Sequence, residues 1–345
     1  MQKKIKVGSR VLGDGAPCFI IAEIGSNHNQ DFGLALKLID AAAEAGVDAV
    51  KFQTFRASDH YSTKTPGFTY LGGQDTFSLI KSLELNRNWQ EPLQKHAKSC
   101  NVEFFSSPCD FEAIEQLNNL NVPAYKVASF DLPDLRLIGE MAKTGKPIIL
   151  STGMANMKDV ERGVKACRNA DNDQIVLLQC TSLYPAPNHL SNLRAMDTLR
   201  EAFGCLTGYS DHTIGSEVPV AAVARGACVI EKHFTLDQSL PGPDHPFAIN
   251  PSELKEMITR IREIETALGD GIKDGPRAEE REMFEKGRRS LHAKRYIKAG
   301  EKITANMLVV KRPGSGIAPY EEANLIGKIC KVDVEADQWL TWDMF

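Results

Sequence analysis

Residues 205–234, CLTGYSDHTIGSEVPVAAVARGACVIEKHF, decide the fold. Cys205 to His212 and Cys228 to Phe234 are short, β-rich apolar runs separated by a longer helix-like stretch, so the segment predicts strand, helix, strand. One such unit fits an open sheet or a barrel, and counting outward separates the two. Six more strand candidates lie upstream: Phe19–Gly25, Ala49–Phe55, Val102–Pro108, Ala124–Phe130, Pro147–Gly153 and Ile175–Leu183. Apolar residues at helical period fall between strands, as at Leu34, Leu36, Leu38, Ile39 and Ala42, and follow the last one at Leu254, Met257, Ile258, Ile261 and Ile264. Eight alternations predict an α/β chain folded as a (β/α)8 TIM barrel through residue 268. The first strand is followed by Gly25-Ser-Asn-His28 rather than GxGxxG, and no Walker motif occurs, which argues against the nucleotide-binding open sheets.

The barrel leaves a remainder in a chain of 345 residues. Residues 269–287 (GDGIKDGPRAEEREMFEKG) are charged and poor in apolar side chains, so they read as a linker. Residues 288–345 read as a small β-rich module with an internal repeat: Ile297 to Thr304 followed by Met307-Leu308 matches Val334 to Thr341 followed by Met344-Phe345. Each copy reads as strand, tight turn, strand. A module this small is marginal alone and is expected to pack on a barrel, its own or a partner's.

Composition narrows the function classes. Lys plus Arg number 41 against 45 Asp plus Glu, a net charge of -4, with no basic run or aromatic-basic interleaving, so no nucleic-acid partner is expected. Apolar runs such as Cys18–Ile24 are far too short for a bilayer helix and the start, MQKKIKVGSR, lacks an apolar signal core. The expectation is a cytoplasmic protein without membrane partners. Eight cysteines without paired spacing read as reduced thiols rather than a zinc site or disulfide framework.

In such a barrel the active site lies where the strands end, and these ends are chemically concentrated. They carry Glu23; Lys51 and Gln53; Ser106 and Ser107; Lys126 and Ser129; Ser151 and Thr152; Thr181 and Ser182; Ser210 and His212; Glu231 and His233. A lysine in an apolar strand is costly to bury without a partner. Lys51 and Lys126, with several hydroxyls, suit a phosphate or a phosphate plus a carboxylate; structural ion pairs are the alternative. His212 and His233 end neighbouring strands and can share a divalent metal close to Glu23, or each can be a satisfied core residue. Asp211 and Glu231 could orient those rings. His28 reads as a rim residue, whereas His60, His96, His189 and His292 read as surface residues. Asp244, in the loop after the last strand, is placed to reach a polar substrate.

Ile21-Ala-Glu-Ile-Gly-Ser-Asn-His-Asn29, Val50-Lys-Phe-Gln-Thr54, Tyr125-Lys-Val-Ala-Ser129, Ile149-Leu-Ser-Thr-Gly-Met154, Cys180-Thr-Ser-Leu-Tyr-Pro185, Gly208-Tyr-Ser-Asp-His-Thr213, Glu231-Lys-His-Phe234 and Gly242-Pro-Asp244 occur in order along the chain. Through them the sequence resembles the sialic acid synthase family of phosphoenolpyruvate-dependent nonulosonic acid synthases. Lys311-Arg-Pro-Gly-Ser-Gly316 resembles that family's C-terminal antifreeze-like (SAF) module. The resemblance implies condensation of phosphoenolpyruvate with the open-chain aldehyde of a hexosamine, typically N-acetylmannosamine, giving a nine-carbon 3-deoxy-2-keto acid and phosphate. It implies His212 and His233 as metal ligands, with Mn2+ first and Mg2+ or Co2+ as alternatives, and Glu23 as catalytic carboxylate. Lys51, Ser107, Lys126, Ser129, Ser151, Ser182 and Ser210 fall on positions that hold phosphoenolpyruvate. Gln53, Tyr184 and Asp244 fall on sugar-contacting positions, as does Arg312 acting from the partner of a domain-swapped homodimer.

Three features differ from many N-acetylneuraminate synthases. Ser182 stands where these have Asn, and Phe130-Asp131 replaces a Gly-Glu pair. The loop 242–251 and the insertion Thr65–Gly73 look closer to the spore coat polysaccharide synthases. Diamino-sugar acceptors leading to legionaminic or pseudaminic acid are therefore an alternative reading, and a non-catalytic carbohydrate-binding barrel is one from a different class.

Overall fold

The computed structural model describes residues 4–13, 15–68, 73 and 75–345; most of the second half of the insertion 65–73 lies outside them. A hairpin of β1 (Lys4–Val7) and β2 (Arg10–Gly13) precedes the repeating part. The eight strands that follow are β3 (Phe19–Gly25), β4 (Ala49–Thr54), β5 (Glu103–Pro108), β6 (Tyr125–Val127), β7 (Ile148–Ser151), β8 (Ile175–Cys180), β9 (Leu206–Asp211) and β10 (Val229–His233). Their ladders are parallel and their order is β5-β4-β3-β10-β9-β8-β7-β6. The two end strands, β5 and β6, lie beside each other, so the sheet closes into a barrel. Helices alternate with the strands: α1 (Phe32–Ala45), α2 (Ala57–His60), α3 (Thr76–Ser82), α4 (Gln90–Ser99), α5 (Phe111–Asn119), α6 (Leu135–Lys143), α7 (Met157–Arg168), α8 (Ala195–Phe203), α9 (Glu217–Ala224) and α10 (Pro251–Leu268). Among the described residues no helix is long and apolar enough to cross a membrane.

Local chemistry explains where these elements start and stop. The Asp31 side chain accepts from the Leu34 amide to open α1, and Gly46, at φ 95°, closes it in a left-handed conformation that a side chain would resist. Between these caps Ala35, Leu38, Ile39, Ala42 and Ala45 form the buried stripe. α10 opens with Asn250 and Glu253 in a reciprocal capping box and Pro251 in its first turn, then buries Leu254, Met257, Ile258 and Ile261. The strands are buried on both faces, as a parallel sheet sheathed in helices requires, and their side chains form one core.

Several ladders end earlier than the apolar runs suggest: β6 stops at Val127 rather than Phe130, and β8 at Cys180 rather than Leu183. At the rim backbone groups turn to other partners. The Thr181 carbonyl, for instance, accepts from His212 Nδ1 at 2.8 Å instead of continuing a ladder.

A second compact unit spans Asp270–Phe345. It takes in the residues that read as a linker: the Gly314 amide donates to the Glu285 carbonyl at 2.8 Å, and Arg288 lies over the Phe284 ring at 4.6 Å. Its regular strands are β11 (Ser290–Ala293) and β12 (Leu308–Lys311), paired antiparallel. The internal repeat is real but its arms are not regular strands. Ile297 and Val334, the first residues of the two copies, pair through reciprocal backbone hydrogen bonds of 2.9 Å, and the equivalent turn positions Gly300 and Asp337 both have positive φ. The arms turn too soon to build ladders. Ile297, Ile303, Val334 and Leu340 join Leu291, Ile317, Leu325 and Cys330 in a core of this unit's own. His292, which reads as a surface residue, is buried on β11, its Nδ1 donating to the Ser290 carbonyl at 3.0 Å.

Candidate active site

The pleat sorts the strand-end residues. On β10, Glu231 and His233 point into the barrel and Lys232 points out; on β9, Ser210 points in and Asp211 points out, and His212, just past the end of β9, points in. The two outward residues meet as a buried ion pair, with Lys232 also donating to the Thr213 carbonyl at 2.6 Å and Asp211 accepting from the Thr213 amide at 3.0 Å. Asp211 is therefore not the residue that orients the histidine rings. It welds β9 to β10 from the helix side.

Inside, four charges form one connected group. Glu23 Oε2 lies 2.6 Å from Lys51 Nζ, and its Oε1 accepts from Gln53 Nε2 at 2.7 Å. Lys51 donates to Ser107 Oγ at 3.3 Å and sits 3.8 Å from Glu231 Oε2. Glu231 Oε1 lies 3.6 Å from Lys126 Nζ and accepts from Ser210 Oγ at 2.9 Å. Lys126 donates to Ser151 Oγ at 2.6 Å and to the Val127 carbonyl at 2.9 Å. All four charged groups are buried. Glu231 thus bridges the two lysines rather than orienting a ring, a role that its position at a strand end does not by itself assign.

Burial and pairing set their charge states. Burial raises the Glu23 carboxyl above its ordinary range, against the pull of Lys51. Burial works to lower Lys51, but Glu23 and Glu231 outweigh it and the ammonium is held above its usual value. Lys126 goes the other way: burial lowers it and Glu231 offsets this only in part. Burial alone would raise Glu231, yet Lys126 and Lys51 hold it low and ionised.

Beside Lys126 the loops after three strands make a small cradle. The Gly153 amide donates to Ser129 Oγ at 3.0 Å, and a methyl group placed on Gly153 would stand 2.8 Å from Ser129 Oγ and 2.3 Å from Ser182 Oγ. Ser182 Oγ is buried without a hydrogen-bond partner. An amide and two hydroxyls converging on space that only glycine leaves open suit anionic oxygens. Of the pair Ser106 and Ser107, only Ser107 joins the charged group; Ser106 bonds Thr54 Oγ1 at 2.8 Å, where Gln90 also donates.

His212 and His233 stand together, ring centroids 5.4 Å apart, with the Tyr184 ring 4.4 Å from His212. The Thr181 carbonyl accepts from His212 Nδ1; burial works to lower this ring, but Cys180 and the Thr181 carbonyl outweigh it and hold it above its ordinary value. His233 is driven far below the ordinary imidazole value by burial and then by His212, so it is neutral. Its Nδ1 is buried without a hydrogen-bond partner and faces Asp244 Oδ2 at 3.5 Å. Burial, then the Glu23 charge, lift the Asp244 carboxyl to about 6. Two neighbouring imidazoles, one with an orphaned ring nitrogen, beside carboxylates form a donor set that fits a divalent cation.

The backbone contributes at Gly25, where the β3–β4 register shifts between Glu23 and Gly25. Gly25 has φ 54°, and a methyl group there would meet Glu23 Oε1 at 3.2 Å and Gln53 Nε2 at 3.3 Å. The bulge aims Glu23 at the site and its glycine leaves room for Gln53.

A cavity of about 160 Å³ opens over this floor. Gln53, Ser107, Tyr184, His233 and Asp244 are among its lining residues. The lining also combines apolar Phe55, Leu79, Ile80 and Leu83 with His60, Cys109 and Asp131. His60, which reads as a surface residue, is half-buried here with Nε2 3.7 Å from Asp131 Oδ1, and Cys109 Sγ donates to Asp131 Oδ2 at 3.7 Å. His28 departs from the rim: it is fully buried beside Phe52 and Trp89, Nδ1 accepting from the Gln30 amide at 3.0 Å, and burial lowers it to about 4. Arg312 is exposed, just past β12 in the second unit.

A closed parallel barrel with paired lysines, an anion cradle and a two-histidine corner at its C-terminal rim suits a phosphoenolpyruvate-dependent carbon–carbon bond-forming synthase of the sialic acid synthase type, the class to which its relatives belong. The chain belongs to the NeuB family, which matches residues 38–273, and residues 288–345 match the SAF domain. It is 43% identical to N,N'-diacetyllegionaminic acid synthase of Campylobacter jejuni over 92% of this chain and 97% of that protein. It is 38% identical to the spore coat polysaccharide biosynthesis protein SpsE of Bacillus subtilis, covering 98% of this chain and 96% of the other. The crystal structure of N-acetylneuraminic acid synthetase from Leptospira borgpetersenii in complex with citrate superposes with a TM-score of 0.76 at 34% identity, over 83% of this chain and 96% of that one.

Proposed function

We propose that the protein condenses phosphoenolpyruvate with the open-chain aldehyde of a 2-acetamido hexose and water, releasing a nine-carbon 3-deoxy-2-keto acid and phosphate. The observation that carries this is the buried Glu23–Lys51–Glu231–Lys126 group with the Gly153 cradle on one side and the histidine pair on the other. In this reading Lys51, Ser107, Lys126, Ser129, Ser151, Ser182 and Ser210 hold phosphoenolpyruvate. Its phosphate oxygens occupy the space in front of Gly153. Gln53, Tyr184, Asp244 and the partner subunit's Arg312 contact the sugar.

His212 and His233 would hold a divalent cation, Mn2+ before Mg2+ or Co2+, and when bound it supplies Lewis-acid polarisation of the aldehyde oxygen. The chain's own groups do the rest. The bond that forms joins C3 of phosphoenolpyruvate to the aldehyde carbon; water then adds at C2 and the C2–O bond to phosphate breaks. The two ammonium groups stay fixed on an anion whose charge redistributes during these steps, inside a closed rim where each contact is stronger than in water. Glu23, held by Lys51 and Gln53 and lifted by burial, is positioned to pass the proton that water gives up.

The apolar part of the cavity lining favours a more specific acceptor. Phe55, Leu79, Ile80 and Leu83 offer apolar surface and Asp131 an acceptor for an N–H, a combination that suits a 2,4-diacetamido-2,4,6-trideoxy hexose with its methyl groups and second amide better than a fully hydroxylated chain. The Campylobacter relative is named for N,N'-diacetyllegionaminic acid, a product with two acetyl groups on nitrogen. An acceptor screen tests both levels: purified protein with phosphoenolpyruvate, Mn2+ and a panel of 2-acetamido and 2,4-diacetamido hexoses, with phosphate release measured and products weighed by mass spectrometry. A panel in which none of the acceptors elicits phosphate release would sink the condensation and leave a carbohydrate-binding barrel.

A further inference from the structure

Away from the barrel mouth, α1 and α4 pack side by side and bring three chemically different ligands together. His96 on α4 and Cys100, its C-terminal cap residue, are four apart and so share one face one turn from each other. Asp40 on α1 faces both. His96 Nε2 and Asp40 Oδ1 are 2.6 Å apart, Cys100 Sγ and Asp40 Oδ1 3.6 Å, and Cys100 Sγ and His96 Nε2 4.0 Å. The side chains of His96 and Asp40 are 30% and 49% exposed, so the triangle is open to solvent on one side.

We propose that Asp40, His96 and Cys100 form a zinc-class metal site, separate from the histidine pair in the barrel, with water as the fourth ligand. Bond lengths of about 2.0 Å to nitrogen and oxygen and about 2.3 Å to sulfur in a tetrahedron require ligand separations of about 3.3 to 3.6 Å. The triangle lies close to this: the Asp40–His96 edge has to open by roughly 0.7 Å and the His96–Cys100 edge to close by roughly 0.5 Å. Both are side-chain adjustments on a partly exposed face. A nitrogen, sulfur and single carboxylate oxygen select Zn2+ or Co2+ over Mg2+ or Ca2+, which prefer all-oxygen shells.

The proton count is simple. Without metal, burial and then Asp40 keep the Cys100 thiol protonated above its ordinary value. On binding, the thiol proton leaves to solvent, and the proton on His96 Nε2 that Asp40 Oδ1 accepts must vacate that nitrogen so that it can ligate. Each ion bound therefore releases at least one proton, and affinity rises with pH. The bound ion ties the C-terminal end of α4 to the middle of α1.

Co2+ titration of the intact protein tests this, because a cobalt–thiolate bond gives a near-ultraviolet charge-transfer band that nitrogen and oxygen ligands do not. The expected result is one equivalent of band-forming Co2+, displaced by Zn2+. Cys100→Ser should abolish the band, and His96→Ala and Asp40→Asn should each weaken Zn2+ binding by about tenfold or more. His212→Ala should leave the band unchanged. Absence of the band in the unmodified protein overturns the proposal, as does a band that survives Cys100→Ser. Loss of the band in Cys109→Ser instead would assign the ion to the His60, Cys109 and Asp131 cluster and equally overturn it.

Discussion

Gly153→Ala places one methyl group in the space proposed for the phosphate of phosphoenolpyruvate. Its Cβ would stand 2.3 Å from Ser182 Oγ and 2.8 Å from Ser129 Oγ, far inside contact distance, so one or both hydroxyls must rotate away. Gly153 lies outside the left-handed region, so alanine brings no backbone strain of its own, and the nearest atoms are small side-chain termini rather than backbone. The fold should survive. What is lost is at least one hydrogen bond to an ionised oxygen, worth about 1.5 to 3 kcal/mol, or roughly a 10- to 100-fold rise in the apparent KM for phosphoenolpyruvate. Steady-state phosphate release over a range of phosphoenolpyruvate, at saturating acceptor, reads this directly, with a thermal melt as the control on folding. The acceptor KM should stay near its original value. A folded variant whose phosphoenolpyruvate KM moves by less than about twofold, or whose defect lies in the acceptor KM alone, refutes the placement of the phosphate.

Glu231→Gln removes the carboxylate between two buried ammonium groups and should lower the barrel's stability by about 3 to 5 kcal/mol, measured by urea unfolding at neutral pH, with inorganic phosphate restoring part of the loss. His28 makes stability depend on acid. Its pKa falls from 6.5 to about 4 on folding, so its contribution is fully present above pH 6.5 and is lost as pH drops through that window, by about 3 kcal/mol at most. His28→Gln should flatten the pH dependence of the urea midpoint between those limits. His212→Ala and His233→Ala should each abolish metal-dependent turnover with unchanged circular dichroism; full activity in both at limiting metal would remove the ligand assignment. Mixing inactive Arg312→Ala and Glu23→Ala chains should recover activity through hybrid dimers, and none recovered from verified hybrids would place Arg312 outside a shared site.

Part of the site is legible in the sequence because strand ends are local. Each of Glu23, Lys51, Lys126, His212 and His233 ends an apolar run, and barrel topology alone brings such ends to one rim. Other parts are out of reach for a definite reason. That Glu231 pairs with both lysines, while its neighbour Lys232 pairs with Asp211, depends on which way the pleat faces at one position of β10 and on the register of that strand against β9. That Gly153 matters depends on Ser129 and Ser182, which arrive from loops after two other strands. His28 and His292 lie deeper than their local sequence suggests because burial of a polar ring is decided by neighbours far along the chain.

What the sequence by itself determined is the alternation of strand and helix, eight times over, and the chemistry carried to each strand end, since both are periodic and local. Tertiary structure alone decided which carboxylate meets which ammonium, which apolar side chains line the cavity, and how Asp40 comes to face His96 and Cys100. Those depend on strand register and helix packing between segments tens of residues apart, and no local period records them.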